Sequence, residues 1–438
     1  MSFGQFIDHD LTHSPVLSDN GQDVDCCSSN SNTNTSSAVC APISIPFNDE
    51  AFRGRKTCMN LVRSTPGPAL DCSIRYREQV NQITHFLDLS QVYGSTQQEQ
   101  NELRSFRGGK LRIDLGPDGS ILPADSSADE CKVGSCMKAG DERVNEVPPL
   151  SLLHTVFLRE HNRIADQIAA NNGGSDESIF QETRRLLIAK YQHIVYNEWL
   201  PIVLGKQYMN RWGLNMLASG YSNSYRSDID PRITNEFAAA AFRFGHTLIP
   251  GFIKAFANID NNIDPKMDLK DTFFKPELLR LPGMYDGMIT GLTRENSQRV
   301  DTTFSDDVRD NLFGDKPTGM DLVALNIQRG REHGLAGYTK YKELCGLGRT
   351  TSFSGLSRQM QQDQIQKIRN IYNNVEDIDL FVGMLSERPM SDSILGPTAL
   401  CIIGDQFARL RQGDRYFYDQ GGQSGSFSSS ELDQVSQI

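Results

Sequence analysis

Apolar positions recur three and four residues apart from the first line of the chain onward. In MSFGQFIDHDL, Phe3, Phe6, Ile7 and Leu11 fall along one side of a helix. The same turns carry Gln5, Asp8, His9 and Asp10. A histidine flanked by two acids is costly to bury unless something positive or metallic neutralises the group. Further along, Val147-Pro148-Pro149 suits a first helical turn, and Leu153, Val156, Phe157, Ile164 and Ile168 repeat at helical spacing until Asn172-Gly173-Gly174. The pattern therefore predicts a helix over 147–172. A second is predicted over 176–199, stopping near Pro201, and a third over 232–247, carrying the alanine-rich FAAAAFRFGH. Residues 358–375 read as a fourth. No alternating run is long enough for a substantial strand, no βαβ rhythm is visible and no internal repeat is obvious. The expected fold is mainly α: a single large helical domain over 1–438, with long disulfide-tied loops and little β.

Composition narrows the possible partners. The 438 residues carry a net charge of −11 with no Lys/Arg-rich run, which argues against nucleic acid and anionic membranes. No apolar run approaches the roughly 18–20 residues that span a bilayer. Of the nine cysteines, Cys26, Cys27, Cys40, Cys58 and Cys72 cluster, Cys131 and Cys136 sit close together, and Cys345 and Cys401 stand alone. None forms a CxxC pair, so structural zinc is poorly supported. The polar stretch CCSSNSNTNTSSAVC, with the sequon Asn34-Thr35-Ser36, points to disulfides in an oxidising, extracellular setting; inert thiols in a cytosolic protein are the alternative. Met1 begins inside an apolar-periodic stretch without a signal peptide, and SFSSSELDQVSQI opens like a helix and stops. The chain thus reads as a piece of a longer secreted protein.

Two segments offer chemistry to the first helix. In THFLDLS, Thr84, Phe86, Asp88 and Ser90 alternate, and in an extended loop they point the same way. Hydroxyls, a carboxylate and a main-chain carbonyl suit Ca²⁺, with Asp10 completing the set; taken alone, the spacing fits a solvated loop better. Among the histidines, His9 and His13 lie four apart but lack an intervening glutamate and a third ligand. His154 and His161, inside an amphipathic helix, read as structural, and His193 and His333 have no distinguishing context. His246 ends an apolar, small-residue helix where a flat cofactor can approach closely.

GQFIDHD, THFLDLSQVYGS, AGDERVNE, LREHNRIA, FRFGHTLIP, LNIQRGREHGLAGY and CIIGDQFARLRQGDRYFY occur in the order and spacing of the animal haem peroxidases, and the chain resembles that family from end to end. The Cys26-Cys27 pair and NLVRSTPGPALDCSIRYREQVNQ look most like the invertebrate peroxinectin and chorion-peroxidase branch. The resemblance implies an extracellular enzyme that reduces hydrogen peroxide through a high-valent iron–oxo haem. It would oxidise iodide, bromide, thiocyanate, phenols or protein tyrosines, with matrix proteins as possible partners. By the same resemblance His9 is the distal acid/base, Arg143 stabilises the developing anion, and Gln5 bonds pocket water or a halide. His246 is the axial ligand, and Asn326 accepts the imidazole N–H through its amide oxygen. Arg243 and Arg329 lie near the haem propionates, structural salt bridges being the alternative for both. Asp8 and Glu146 match the acids that ester-link haem b. Val147 replaces the methionine that forms a third link in some relatives, which disfavours chloride as donor. Asp10, Thr84, Phe86, Asp88 and Ser90 match the calcium site.

Family disulfides suggest Cys131–Cys136, Cys345–Cys401 and two overlapping bridges among Cys26, Cys27, Cys40 and Cys58, leaving Cys72 as an orphan. Relatives carry further segments before GQFIDHD and after the last motif. An adhesion or matrix protein built on the same scaffold is the alternative function, weakened by the lack of an RGD or KGD tripeptide. A fatty-acid oxygenase of the cyclooxygenase class needs a tyrosine three residues before the proximal histidine, where this chain has Arg243.

Overall fold

The computed structural model describes residues 1–18, 24–27, 38–68, 76–259, 262–314 and 319–435. The sequon Asn34-Thr35-Ser36 and Cys72 lie outside them. Five helices position the site: α1 (Ser2–Leu11), α2 (Pro148–Asn172), α3 (Asp176–Ile194), α4 (Leu322–Glu332) and α5 (Pro397–Gly413). Helix makes up 47% of the structure and strand 9%, so the expected mainly α architecture holds. The strands are five antiparallel pairs of two or three residues each among the described residues.

α2 is the central element. Pro148 and Pro149 occupy its first turn, where their missing N–H groups cost nothing, and Gly173 ends it at φ 62°. Leu150, Leu152, His154, Phe157, Leu158, His161, Ile164 and Ala165 are all buried, so packing surrounds most of the helix. α1 lies across it. The Phe6 ring stacks on Phe157 at 4.8 Å and meets His154 at 4.9 Å and Tyr191 at 6.1 Å edge-on. With Phe6, Ile7 and Leu11 fully buried, the apolar stripe read from the sequence anchors α1 to α2 and α3.

Three boundaries differ from expectation, each for a physical reason. The second helix does not end at Pro201. After Ile194 the chain widens into a π-helical turn, Val195–Trp199, and resumes as Leu200–Leu204 with Pro201 in the new first turn. The third predicted helix breaks at Ala240 (φ −141°) into a short α-helix, Asn235–Ala239, and a 3₁₀ helix, Ala241–Leu248. Arg243 Nε donates to the Ala238 carbonyl at 3.0 Å, occupying the acceptor a continuous α-helix would offer to Phe242. The fourth is confined to Gln362–Ile371 because Tyr372 is extended and Asn374 caps a separate 3₁₀ turn.

Four disulfides join Cys26 to Cys40, Cys27 to Cys58, Cys131 to Cys136 and Cys345 to Cys401. These are the expected pairs, including two overlapping bridges near the N-terminus.

Truncating Phe6 to alanine removes the ring that three partners enclose. We expect a loss of about 3–5 kcal/mol, as for other buried aromatic truncations. Urea denaturation should show a lower midpoint at unchanged slope; an unshifted midpoint would mean α1 is not anchored by this residue.

Candidate active site

Four segments supply the predicted site. α1 brings Gln5, Asp8, His9 and Asp10, and the 3₁₀ turn Glu142–Asn145 brings Arg143 and leads into Glu146. The 3₁₀ helix Ala241–Leu248 carries Arg243 and His246, and α4 carries Asn326 and Arg329.

Asp141, which the sequence reading passed over, organises the first two. It caps the 3₁₀ turn by accepting from the Arg143 backbone N–H at 2.9 Å. The Arg143 side chain folds back on it in a fork, Nε to Oδ1 at 2.8 Å and Nη2 to Oδ2 at 2.6 Å. The guanidinium then reaches the end of α1, donating to the Thr12 carbonyl at 2.9 Å and the His9 carbonyl at 3.3 Å. A cation against the last carbonyls of a helix is favoured by the helix dipole. Burial opposes the Asp141 charge, but Arg143 outweighs it and holds the carboxyl well below the usual range.

His9 is 4% exposed. Burial first, then the neighbouring Arg143, lowers its pKa well below the ordinary value, so the imidazole is neutral and able to accept a proton. Its Nδ1 lies 3.9 Å from Asp141 Oδ1, too far for a hydrogen bond. Asp8 accepts from Thr12 Oγ1 at 2.9 Å, and Glu146 accepts from Gln5 Nε2 at 3.2 Å. Burial raises both acids against the pull of Arg143, Glu146 to about 7.

On the other side, His246 Nδ1 lies 2.8 Å from Asn326 Nδ2, while Asn326 Oδ1 accepts from Arg243 Nη1 at 2.8 Å. The contact pairs the expected residues with reversed polarity, because Arg243 claims the amide oxygen. In this arrangement the imidazole proton sits on Nε2. Ligation through Nε2 would move it to Nδ1 and turn the amide over. Burial, then Arg243, lowers the His246 pKa to about 3. Arg243 makes no ion pair among the described residues. Burial lowers it to about 10, with Arg329 and Arg143 adding to the effect and Asp8 opposing it. Arg329, by contrast, is tied to Glu332 at 3.1 Å, Ser64 Oγ at 3.2 Å and the Val62 carbonyl at 2.8 Å, a structural salt bridge.

Gln5, Asp8, Arg143, Glu146, Arg243 and His246 lie deep in the molecule yet are only half-buried, so they line an internal space. A Cβ added to Gly245, beside His246, would meet nothing within 4 Å. A neutral imidazole whose Nε2 makes no hydrogen bond among the described residues, a half-buried arginine without an ion pair among them and the open space beside Gly245 fit a planar, anionic group such as haem. A separate cavity of about 350 Å³ behind Asn326 touches Ala240, Gly330, Leu335 and Phe381 but neither His9 nor His246.

The oxygen-rich segment is not extended: His85 and Leu89 adopt left-handed backbone (φ 61° and 59°), and Ser90 starts a helical turn. These kinks still gather most of the predicted polar groups. Asp10, fully buried, accepts from the Ser90 N–H at 2.6 Å, Ser90 Oγ at 2.7 Å and the Leu89 N–H at 3.1 Å, while Thr84 Oγ1 donates to Asp88 at 2.8 Å. Burial raises the pKa of both acids, and Asp88 raises Asp10 further. Two buried carboxylates sharing one pocket fit a bound cation. The Phe86 ring instead lies 4.5 Å from that of His85.

Three further histidines are held by structural hydrogen bonds. His161 bridges Tyr93 Oη and the Gly109 carbonyl, each at 2.8 Å, His154 bonds the Leu150 carbonyl at 2.9 Å, and His333 bridges Ser64 and Asn235.

The profile of the family described as animal haem peroxidase matches residues 1–438. The chain is 39% identical to chorion peroxidase of Drosophila melanogaster over 100% of its own length and 55% of that protein. It is 38% identical to heme peroxidase 2 of Caenorhabditis elegans, over 99% of its length and 61% of that protein. It therefore spans between half and two thirds of these curated relatives. Peroxidase A from Dictyostelium discoideum superposes with a TM-score of 0.81 at 28% identity, covering 100% of this chain and 80% of that one. A fatty acid alpha-dioxygenase of Arabidopsis thaliana, at 18% identity and TM-score 0.75, shares the fold, covering 99% of this chain and 68% of its own.

Because Glu146 has a raised pKa, the folded protein without haem holds a proton that the unfolded chain releases near the ordinary value of 4.5. Its contribution to stability is present at low pH and falls as pH rises to about 7. Thermal melts of the haem-free protein between about pH 5 and pH 7.5 should fall less steeply in Glu146→Gln; identical slopes would refute the assignment.

Proposed function

This chain belongs to the animal haem peroxidase family, and on that footing we propose that it reduces hydrogen peroxide at the expense of small electron donors or tyrosines. What supports the reading is that His9, buried and neutral, and His246 stand on elements whose Asp8, Arg143 and Arg243 act electrostatically on one another, with no ion pair to Arg243 among the described residues.

His246 would hold the haem iron, Arg243 a propionate, and Asp8 and Glu146 the ring through ester bonds. When bound, the haem supplies the electrons that split the peroxide O–O bond. His9, held neutral by burial, takes the proton from the incoming oxygen and delivers it to the departing one. Arg143, fixed by Asp141, stabilises the negative charge that develops on the departing oxygen. Gln5 orders pocket water or a halide. Val147 cannot form a sulfonium link, so iodide, bromide, thiocyanate and phenols are the donors of this reading and chloride is not.

Calcium would sit between Asp10 and Asp88, with Thr84, Ser90 and the Phe86 carbonyl. Because Asp10 directly follows His9, the ion would fix the turn that aims the base. Four disulfides and the chorion peroxidases among the relatives support an extracellular site of action, with matrix tyrosines as a partner class. The fatty-acid oxygenase alternative is disfavoured by Arg243 in the position that class gives to its radical tyrosine.

Two measurements test the reading. The haem-reconstituted protein should show a Soret band that shifts on adding H₂O₂ and is lost in His246→Ala. In His9→Ala the haem should still bind while the rate with H₂O₂, followed by stopped flow, falls about 10²–10⁴-fold. No haem uptake by the folded parent would sink the proposal. Chelating calcium should abolish iodide oxidation before the far-UV circular dichroism changes; simultaneous loss would make the ion's role purely structural.

A further inference from the structure

Beside the internal space the molecule contains a line of aromatic rings, among them the oxidisable Trp199, Tyr196 and Tyr418, that the chemistry above does not use. The indole of Trp199 lies against α1: a Cβ built on Gly4, next to Gln5, would stand 3.2 Å from it. It also lies 5.9 Å from the ring of Phe242, one turn before His246. Phe407 is 6.1 Å from Trp199 and 6.0 Å from Tyr196, whose hydroxyl donates to the Phe407 carbonyl at 2.7 Å. Tyr196 is 5.1 Å from Phe417, which is 5.5 Å from Tyr418. Tyr418, 6% exposed, ends the series with its hydroxyl 2.8 Å from His193 Nδ1. Two residues earlier, Tyr416 is 63% exposed.

Ordinary core packing explains the aromatic contacts but not two other facts. Tyr196 and Trp199 stand in the π-helical turn Val195–Trp199 that precedes Pro201, a rare element found frequently at functional sites. The buried phenol of Tyr418 faces a half-buried imidazole, which supplies a base for its proton. We propose that Trp199, Tyr196 and Tyr418 form an electron relay from the internal space to the surface at Tyr416–Tyr418, where a protein-borne phenol too large to enter is oxidised. The proposal rests on the peroxidase reading and adds to it a route and a surface site for the tyrosine donors.

The chemistry balances. Reducing H₂O₂ to two waters takes two electrons and two protons. For each electron passed inward through Tyr196 and Trp199, Tyr418 becomes a neutral phenoxyl radical and its proton moves to His193. A donor phenol at the surface then gives one electron back, the His193 proton returns to Tyr418, and the donor releases its own proton to water. Two such turns yield two donor phenoxyl radicals, which couple through a C–C bond to a dityrosine.

The test uses the haem-loaded full chain, with iodide as the small donor and a tyrosine-bearing polypeptide as the large one. Tyr418→Phe and Trp199→Phe should each lower turnover of the polypeptide about tenfold while leaving iodide turnover intact. After one equivalent of H₂O₂ without donor, spin trapping and peptide mass spectrometry should place an adduct on Tyr416 or Tyr418 in the parent and none in Trp199→Phe. Unchanged polypeptide turnover and adduct in both variants would overturn the relay. Iodide turnover absent from the parent would overturn the peroxidase reading, and the relay with it.

Discussion

The fork between Asp141 and Arg143 is the contact on which the site's arrangement turns. It ties a 3₁₀ turn to the carbonyls of His9 and Thr12, and so fixes the end of α1 against the start of α2. His9, Glu146 and Arg143 owe their relative positions to it. Removing one member of a buried pair leaves a charge without compensation, which is more costly than losing the pair's own attraction. The pair also acts on His9 from both sides: burial is the first cause of its lowered pKa, the Arg143 charge adds to it and the Asp141 charge opposes it.

Much of this was legible in the chain. The stripe Phe3, Phe6, Ile7 and Leu11 predicted both the helix and its buried face, because a 3.6-residue period leaves few alternatives. Pro148-Pro149 and Gly173-Gly174 bounded α2 for reasons of backbone chemistry alone. The disulfide pairing followed from the family resemblance, since spacing cannot choose among possible connectivities. The break at Ala240 was not legible. A run of alanines carries no instruction against continuing a helix, and the acceptor there is taken by Arg243 through a side-chain bond that only the folded chain forms. Pro201 misled for the converse reason. It signals the end of a helix, but a preceding π turn lets a new first turn begin on it.

Within the site, residue types were easier to read than their partners. Asp141 stood in AGDERVNE two places before Arg143, and an aspartate ahead of a short turn is a capping signal that could have exposed its role. The amide of Asn326 lies beside His246, yet its oxygen accepts from Arg243, a competition that no linear motif records. Arg329 and Arg243 look alike in sequence and differ in space: one is paired with Glu332, and the other makes no ion pair among the described residues and feels Asp8 only at longer range.

The four disulfides all lie outside α1. They close loops over 26–58, 131–136 and 345–401, and none reaches the ten residues that carry Gln5, Asp8, His9 and Asp10. α1 is held by Phe6 packing, the Arg143 contacts and the Asp10–Ser90 bonds, all of which can be broken and remade without changing a covalent bond. Among the described residues and without a haem ester to Asp8, the covalent frame and the reactive helix are thus joined only by noncovalent contacts. Detaching the helix scrambles no cystine, and what heat or chelation has loosened can reassemble on a frame that never lost its pairing.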